Sequence, residues 1–556
     1  LEQIISPYGG QLVNLIASPE RSAELKQAAL AFASLDINWQ QQCDLELLLN
    51  GGYSPLTGYM GQADYVSVLQ NLRLADGRAW PLPLCLQVSA AQADKIKVGD
   101  SLALRDGEGF MLAVVTVSEL WQADDALEAS LLGSELGEGW YIGGAVEGLS
   151  LPMRHDFLAL RQTPAELRAH FLRRGWRQII AWQARQSLHR AQHAFILRAA
   201  VDNEANLLIH PMAGGDPVES ADYFSLVRSY RAAIGRFPSA TSTLALSPVY
   251  ARGGGVRTTL LGAIVERNYG CTHLIVGGEY AIQGQLRRGS DVVAHEDYQH
   301  VAEYIHEIGV GLIPFPRMVY VEDRAQFMAQ EEVPKDARVL LLTAEEVARR
   351  LQEGVAIPDW YTFPEVLAEI QRSHPPRSQQ GFTVFFTGLS GAGKSTIARA
   401  LTTRLMEMGG RSVTLLDGDI VRRNLSSELG FTREHRDINV RRIGYVASEI
   451  TKNRGIAICA PIAPYTATRR AVRDMIEPLG GFFEVFVATP IATCEARDRK
   501  GLYAKARAGL IKEFTGVSDP YEIPERAELS IDTTDLSVDE AVQRVLLKLE
   551  HEGYLC

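Results

Sequence analysis

The sequence predicts a multidomain α/β protein whose last third, residues 380–556, is a phosphate-loop domain on a doubly wound parallel sheet. Three observations carry this prediction. A complete phosphate-binding pattern, Gly388-Leu389-Ser390-Gly391-Ala392-Gly393-Lys394-Ser395, sits between an apolar strand pattern and an amphipathic helix pattern. Beyond residue 381, short apolar runs alternate with helical stretches, as parallel βαβ units require. Upstream, residues 1–150 are turn-rich with alternating apolar stretches, which suits a β-rich domain, while residues 151–325 again alternate helices with short apolar strands.

The chain has 556 residues, enough for three or four domains at ~150 residues each. They are assigned to residues 1–150, 151–325, a small α/β appendage at 326–373, and 380–556. Hydrophobic residues make up 46% and charged residues 22%, the balance of an ordinary globular protein. A net charge of -11 speaks against nucleic-acid or anionic-membrane partners, which select a basic surplus. Cys43, Cys85, Cys271, Cys459, Cys494 and Cys556 are scattered without a CxxC pair, as in a reduced protein. No signal-peptide pattern and no apolar run near the ~18 residues of a membrane span is present. A soluble cytoplasmic protein is expected.

Elements follow in chain order. Residues 82–90 and 109–117 alternate like strands of the first domain, and 177–183, 206–212 and 271–278 read as strands of the second. His374-Pro-Pro-Arg-Ser-Gln-Gln-Gly381 reads as a linker. Strands are expected at 382–388, 412–419, 456–462, 482–489 and 528–534. A helix over 394–408 places Ile397, Leu401, Leu405 and Met408 on one face. A last helix starts at Ser537, where Glu540 completes a capping box.

The loop predicts its own chemistry. Gly388, Gly391 and Gly393 let backbone N–H groups of Ser390, Ala392, Lys394, Ser395 and Thr396 curl around phosphate oxygens. The following helix adds its positive end. Lys394 reaches the β- and γ-phosphates of ATP, and the Ser395 hydroxyl suits Mg²⁺. The N-K-x-D motif by which GTPases read their base is missing. The next strand ends in Asp417 and Asp419, carboxylates that suit Mg²⁺ or the proton of an acceptor hydroxyl.

These residues lie in blocks that resemble adenylylsulfate kinases: 388–396, 416–425, 429–444, 461–465 and the long run 500–522. The resemblance covers nearly all of 381–556. It implies phosphoryl transfer from Mg²⁺-ATP to the 3′-hydroxyl of adenylyl sulfate, with Asp419 as base or metal-organising carboxylate and Asp417 beside it. It implies that Arg422 and Arg436 hold the phosphosulfate, that Phe431 and Phe514 sandwich the adenine, and that Asn439, Ile462 and Lys500 make further contacts. Two positions depart from the family pattern: Ile420 stands for Asn, and Ala463 for Ser.

Residues 1–373 resemble ATP sulfurylase through 44–60, 175–192, 207–212, 266–278 and 357–366. This implies a PUA-like first domain, a Rossmann-like nucleotidyltransferase second domain and a small third. The family's Q-T-R-N-P-L-H-R-A-H is here Gln183 to Gln192. Gln183, Arg185 and His189 are kept, the Asn-Pro pair is lost, and Gln192 replaces the second histidine. His193 is adjacent, but one helical residue turns a side chain by ~100°, so it substitutes imperfectly. G-R-D-H-A-G-P-G becomes Gly277 to Gly284 without its Arg and His; M-R-M-A-G-P-R-E becomes Ala251 to Thr258, with Arg252 and Arg257 kept. P-H-G-G becomes Pro7-Tyr8-Gly9-Gly10.

Gln183, Arg185, His189, Gln192 and Arg257 are therefore expected to be a remnant site. Three readings follow: a kinase joined to an impaired sulfurylase fold, an enzyme in which both regions work, and a non-catalytic nucleotide-binding scaffold. Both families imply a homo-oligomer, dimer or hexamer.

Overall fold

A computed structural model describes residues 4–132, 139–214, 221–250, 255–277, 303–498, 501–511 and 513–555. The chain divides into two compact units: Leu1–Thr343 with Pro358–Ser373, and Ala344–Ile357 with His374–Cys556. The multidomain α/β class holds.

In the first unit, strands Ala33–Asp36, Ser101–Arg105, Met111–Gln122, Trp140–Gly148 and Gly58–Tyr59 lie in that order, and Leu86–Val88 also pairs with Trp140–Gly148. All these pairs are antiparallel except the first. A second sheet is wholly parallel, ordered Gly311–Phe315, His273–Gly277, Ile179–Trp182, Asn206–Ile209, Ser242–Leu244. One apolar core, including Leu47, Val115, Ile179 and Leu260, runs through both regions. Met318–Val321, Gln326–Ala329 and Val339–Leu340 make a small antiparallel sheet.

The second unit holds five parallel strands in the order Val413–Asp417, Ile456–Ala460, Phe382–Thr387, Gly481–Val487, Leu529–Ile531. Phe382–Thr387 is buried along its whole length because helices cover both of its faces. Phe382, Val384 and Phe386 meet Lys394–Met408 and Val538–His551, whereas Phe385 meets Arg433–Lys452 and Thr466–Ile476. This alternation follows from the period of two along a strand. The capping box at Ser537 and Glu540 is formed.

Two sequence expectations change. The strand expected over 412–419 stops at Asp417, and the chain turns directly into the helix Gly418–Leu425, so Asp419 lies in a first helical turn rather than at a strand end. Acidic residues are favoured there by the helix dipole. Residues 374–381, read as a linker, are tied down: Arg377 Nη1 donates to the Glu552 carbonyl, Arg411 Nη1 to the Gln380 carbonyl, and a Cβ on Gly354 would come within 3.3 Å of Pro376.

Phe386 is fully buried in the central strand. Phe386→Ala is expected to destabilise the second unit by about 3–5 kcal/mol, read as a lower midpoint in chemical unfolding followed by circular dichroism.

Candidate active site

The strand order of the second unit reverses on either side of Phe382–Thr387, and the phosphate loop leaves the end of that strand. Ligands bind at such switch points because adjacent connections run to opposite faces and open a crevice. Here the crevice is a cavity of about 860 Å³.

The loop forms one wall. Gly388, Gly391 and Gly393 have φ of +146°, +78° and +105°. A Cβ on Gly388 would sit 2.6 Å from the Val487 carbonyl oxygen. Neighbouring strands clamp the loop: the hydroxyls of Thr489 and Thr533 both donate to the Ala392 carbonyl, at 3.2 and 2.9 Å, and Tyr503 OH donates to the Ser390 carbonyl. Lys394 Nζ donates to the carbonyls of Gly388 and Leu389, at 2.9 and 2.7 Å. Its buried ammonium is thus held at the loop's own concavity. Ser395 and Thr396 line the same cavity.

The residues expected to hold the acceptor line the same cavity: Arg422, Phe431, Arg436, Asn439, Ile462 and Phe514. Asp417 and Gly418 line it as well. The helix Arg433–Lys452, capped by Thr432 Oγ1, presents Arg436 and Asn439 three residues apart on one face. These two residues are 9% and 5% exposed. Arg436 Nε and Asn439 Oδ1 have no hydrogen-bond partner among the described residues. A buried donor and a buried acceptor on a cavity wall are groups a polar ligand would satisfy. Arg422 Nη1 donates to the carbonyls of Leu429 and Gly430, and its guanidinium lies 4.5 Å from the Phe431 ring centroid. The Phe431 ring is 70% exposed, so it is not a core residue. Phe514 stands edge-on to Tyr503 at 5.0 Å. The Thr387 hydroxyl donates to the carbonyls of Ile462 and Ala463, which fixes the 461–465 segment by its backbone. The Asp419 side chain and all of Lys500 lie outside the described residues.

Sequence reasoning missed Arg497 and Thr533, both on the cavity wall. Arg497 Nη1 donates to Thr533 Oγ1 and Nη2 to the Thr533 carbonyl. Thr533 follows the edge strand, so the rule that ligands gather at strand C-termini was the available signal.

The sulfurylase-like motif follows the switch-point strand Ile179–Trp182 of the first unit. Gln183 Nε2 donates to the buried Glu266 carboxylate at 2.7 Å, which also pairs with His210 Nδ1. Arg185 Nε lies 3.2 Å from the Met212 sulfur. His189 caps the helix Arg190–Asp202: its Nδ1 accepts from the Gln192 N–H, and Gln192 Oε1 accepts from the His189 N–H. Burial pushes the His189 imidazole down to about 4. His193 turns away, its Nε2 3.1 Å from the Arg236 carbonyl and its ring between Phe237 and Phe363. Arg257 joins none of these; its guanidinium donates to the carbonyls of Val68, Leu69 and Pro81. Positions 251–254 and 278–284 of the altered blocks lie outside the described residues.

Family models match in three places: adenylylsulphate kinase at 380–532, ATP-sulfurylase at 159–373 and a PUA-like domain at 5–132. A sulfate adenylyltransferase of Phaeosphaeria nodorum is 43% identical, with 99% of each chain covered. The chain belongs to the sulfate adenylyltransferase family, joining an ATP-sulfurylase domain to an adenylylsulphate kinase domain. A family member from Emericella nidulans is 42% identical, again over 99% of each chain. Among solved structures, a hexameric APS kinase from Thiobacillus denitrificans is 55% identical, with a TM-score of 0.86 and full coverage of both chains. Among the described residues, no helix is long and apolar enough to cross a membrane.

The His189 environment gives a pH test. The unfolded chain takes up this proton near pH 6.5, the folded one only near pH 4. Between those values the unfolded state binds more protons, so stability falls as pH drops through the window and levels off below it. His189→Asn keeps a capping acceptor. It should flatten this part of the pH profile of unfolding relative to the parent.

Proposed function

We propose that this chain is an adenylylsulfate kinase, transferring the γ-phosphoryl of ATP to the 3′-hydroxyl of adenylyl sulfate, and that its sulfurylase region is catalytically impaired. The observation supporting the kinase reading is the shared cavity, lined both by the phosphate loop and by Arg422, Arg436, Asn439, Phe431 and Phe514. Guanidinium forks suit phosphosulfate oxygens, and the two aromatic faces suit a purine.

In this reading Lys394 leaves its carbonyl partners for the β- and γ-phosphates, where its charge offsets that developing in transfer. The bond between the 3′-oxygen and the γ-phosphorus forms as the bond to the β,γ-bridging oxygen breaks. The hydroxyl proton passes to Asp419. Ser395 and Asp417 are hard oxygen donors on the cavity surface and fit Mg²⁺ carried in with ATP. Bound there, the ion supplies charge neutralisation across the phosphates. Arg436 and Asn439 orient the acceptor, while Phe431 and Phe514 exclude water from its base.

Impairment of the sulfurylase region is supported by His189 and Gln192. One is a neutral imidazole above about pH 4, and both are engaged in capping a helix, which leaves little to stabilise charge on a leaving pyrophosphate. The relatives' name, sulfate adenylyltransferase, favours a second reading in which both regions work.

Two assays on the full chain separate these. ADP formation from ATP and adenylyl sulfate is expected, together with little or no sulfate-dependent pyrophosphate release; clear pyrophosphate release would establish the second reading. Lys394→Ala should lower the first activity by about 10²–10³-fold. The hexameric relative supports self-association of this chain, as a dimer or hexamer. Sedimentation equilibrium should give a mass well above one chain of 61.2 kDa.

A further inference from the structure

Arg436 is a cation held largely out of water, so its orientation depends on what surrounds it. Nη1 donates to Thr515 Oγ1 at 2.6 Å. Nη2 lies 3.0 Å from Asp519 Oδ2, in ion-pair rather than aligned hydrogen-bond geometry. Its guanidinium carbon lies 5.5 Å from the ring centroid of Tyr465, whose hydroxyl donates to the same Asp519 oxygen at 2.8 Å. Burial and this bond to Asp519 push the Tyr465 phenol up to about 12, so it stays a donor. Asp519 is itself fixed in a closed turn. Its N–H donates to the Phe514 carbonyl, its carbonyl accepts from the Gly516 N–H, and Ser518 Oγ accepts from the Phe514 N–H. The turn that carries the carboxylate therefore also carries the Phe514 ring.

We infer that Asp519 is a positioning residue: it sets the Arg436 guanidinium toward the cavity and couples that setting to the 514–519 turn, so that an adenine nucleotide with an anionic 5′ group meets its arginine and its stacking ring as one preformed unit. This rests on the kinase reading and deepens it. Electrostatics alone predicts the opposite sign. A carboxylate beside the arginine repels an incoming anion, so neutralising it would tighten binding. Positioning predicts that neutralising it weakens binding, because Arg436 loses the partner that fixes its fork. The direction of the change therefore discriminates.

The experiment uses the full chain with Mg²⁺ and ADP present. Calorimetry gives the Kd for adenylyl sulfate, and steady-state kinetics gives KM for each substrate. Asp519→Asn is expected to raise the Kd and KM for adenylyl sulfate about tenfold, the worth of one charge-assisted contact. The KM for ATP should hold. Asp519→Glu should recover part of the loss. In an Arg436→Lys background the same substitution should cost much less, since the two changes act through one fork. Tyr465→Phe, which removes one tether on Asp519, should weaken adenylyl sulfate about two- to threefold and carries the test if Asp519→Asn does not fold. Unchanged or tighter binding in Asp519→Asn, an equal rise in the KM for ATP, or an unaltered Tyr465→Phe beside a misfolded Asp519→Asn would overturn the inference. Failure of the parent protein itself to bind adenylyl sulfate would overturn the kinase reading and this inference with it; normal parent binding with an indifferent Asp519 would overturn this inference alone.

Discussion

A left-handed backbone pressed against a neighbouring strand is the constraint on which the second unit depends. Gly388 leaves the central strand at a φ of +146°, and any side chain there would collide with the Val487 carbonyl. With Gly391 and Gly393 also at positive φ, the loop can curl its amides inward and close onto the helix from Lys394. The rest of the site is arranged around that curl. Threonines from two other strand ends hold the Ala392 carbonyl, and Tyr503 holds that of Ser390. The loop is thus braced by hydroxyls belonging to segments more than a hundred residues away in sequence for Tyr503 and Thr533.

The 461–465 segment on the cavity wall is held differently, by a buried charge pair behind its backbone bonds. Arg469 is buried against Glu484 at 2.9 Å, and its Nη1 donates to the Ala463 carbonyl. Ala463 sits at a φ of +45°, an uncommon conformation for a residue with a side chain. Its carbonyl and that of Ile462 receive the Thr387 hydroxyl. The fold uses this segment through its backbone, which gives a physical reason why Ala can stand where the family pattern has Ser. A strained turn is maintained there because the Arg469 guanidinium, the Thr387 hydroxyl and the Gly388 N–H all hold its carbonyls.

Much of the fold was legible in the sequence. Complete burial of the strand at 382–387 follows from its unbroken apolar run, and the helix at 394–408 follows from the spacing of Ile397, Leu401 and Leu405. The glycine spacing located the loop. Less legible were features that depend on distant partners. Nothing local marks Thr533 as a loop clamp or Asp519 as the neighbour of Arg436, since each acquires that place through pairing across the sheet or a turn. The end of the strand at Asp417 was read two residues late because a turn into a helix at Gly418 leaves no polar spacer in between. Arg257 was grouped with the remnant site on its motif, whereas its guanidinium reaches three carbonyls of the first domain. A sequence shows that an arginine is kept, but not whether a ligand or the backbone is what keeps it.

The division of the chain has a consequence for how the two units could be parted. Residues 344–357 belong to the second unit, yet the chain then returns to the first for 358–373 before leaving it for good. The polypeptide therefore crosses from one body to the other three times. No single cut yields two whole pieces: a break near residue 380 strips the second unit of the helix Ala344–Glu353, and a break at 343 strips the first of the helix Pro364–Ser373. Each unit thus depends on a stretch of chain that lies, in sequence, within the other's range.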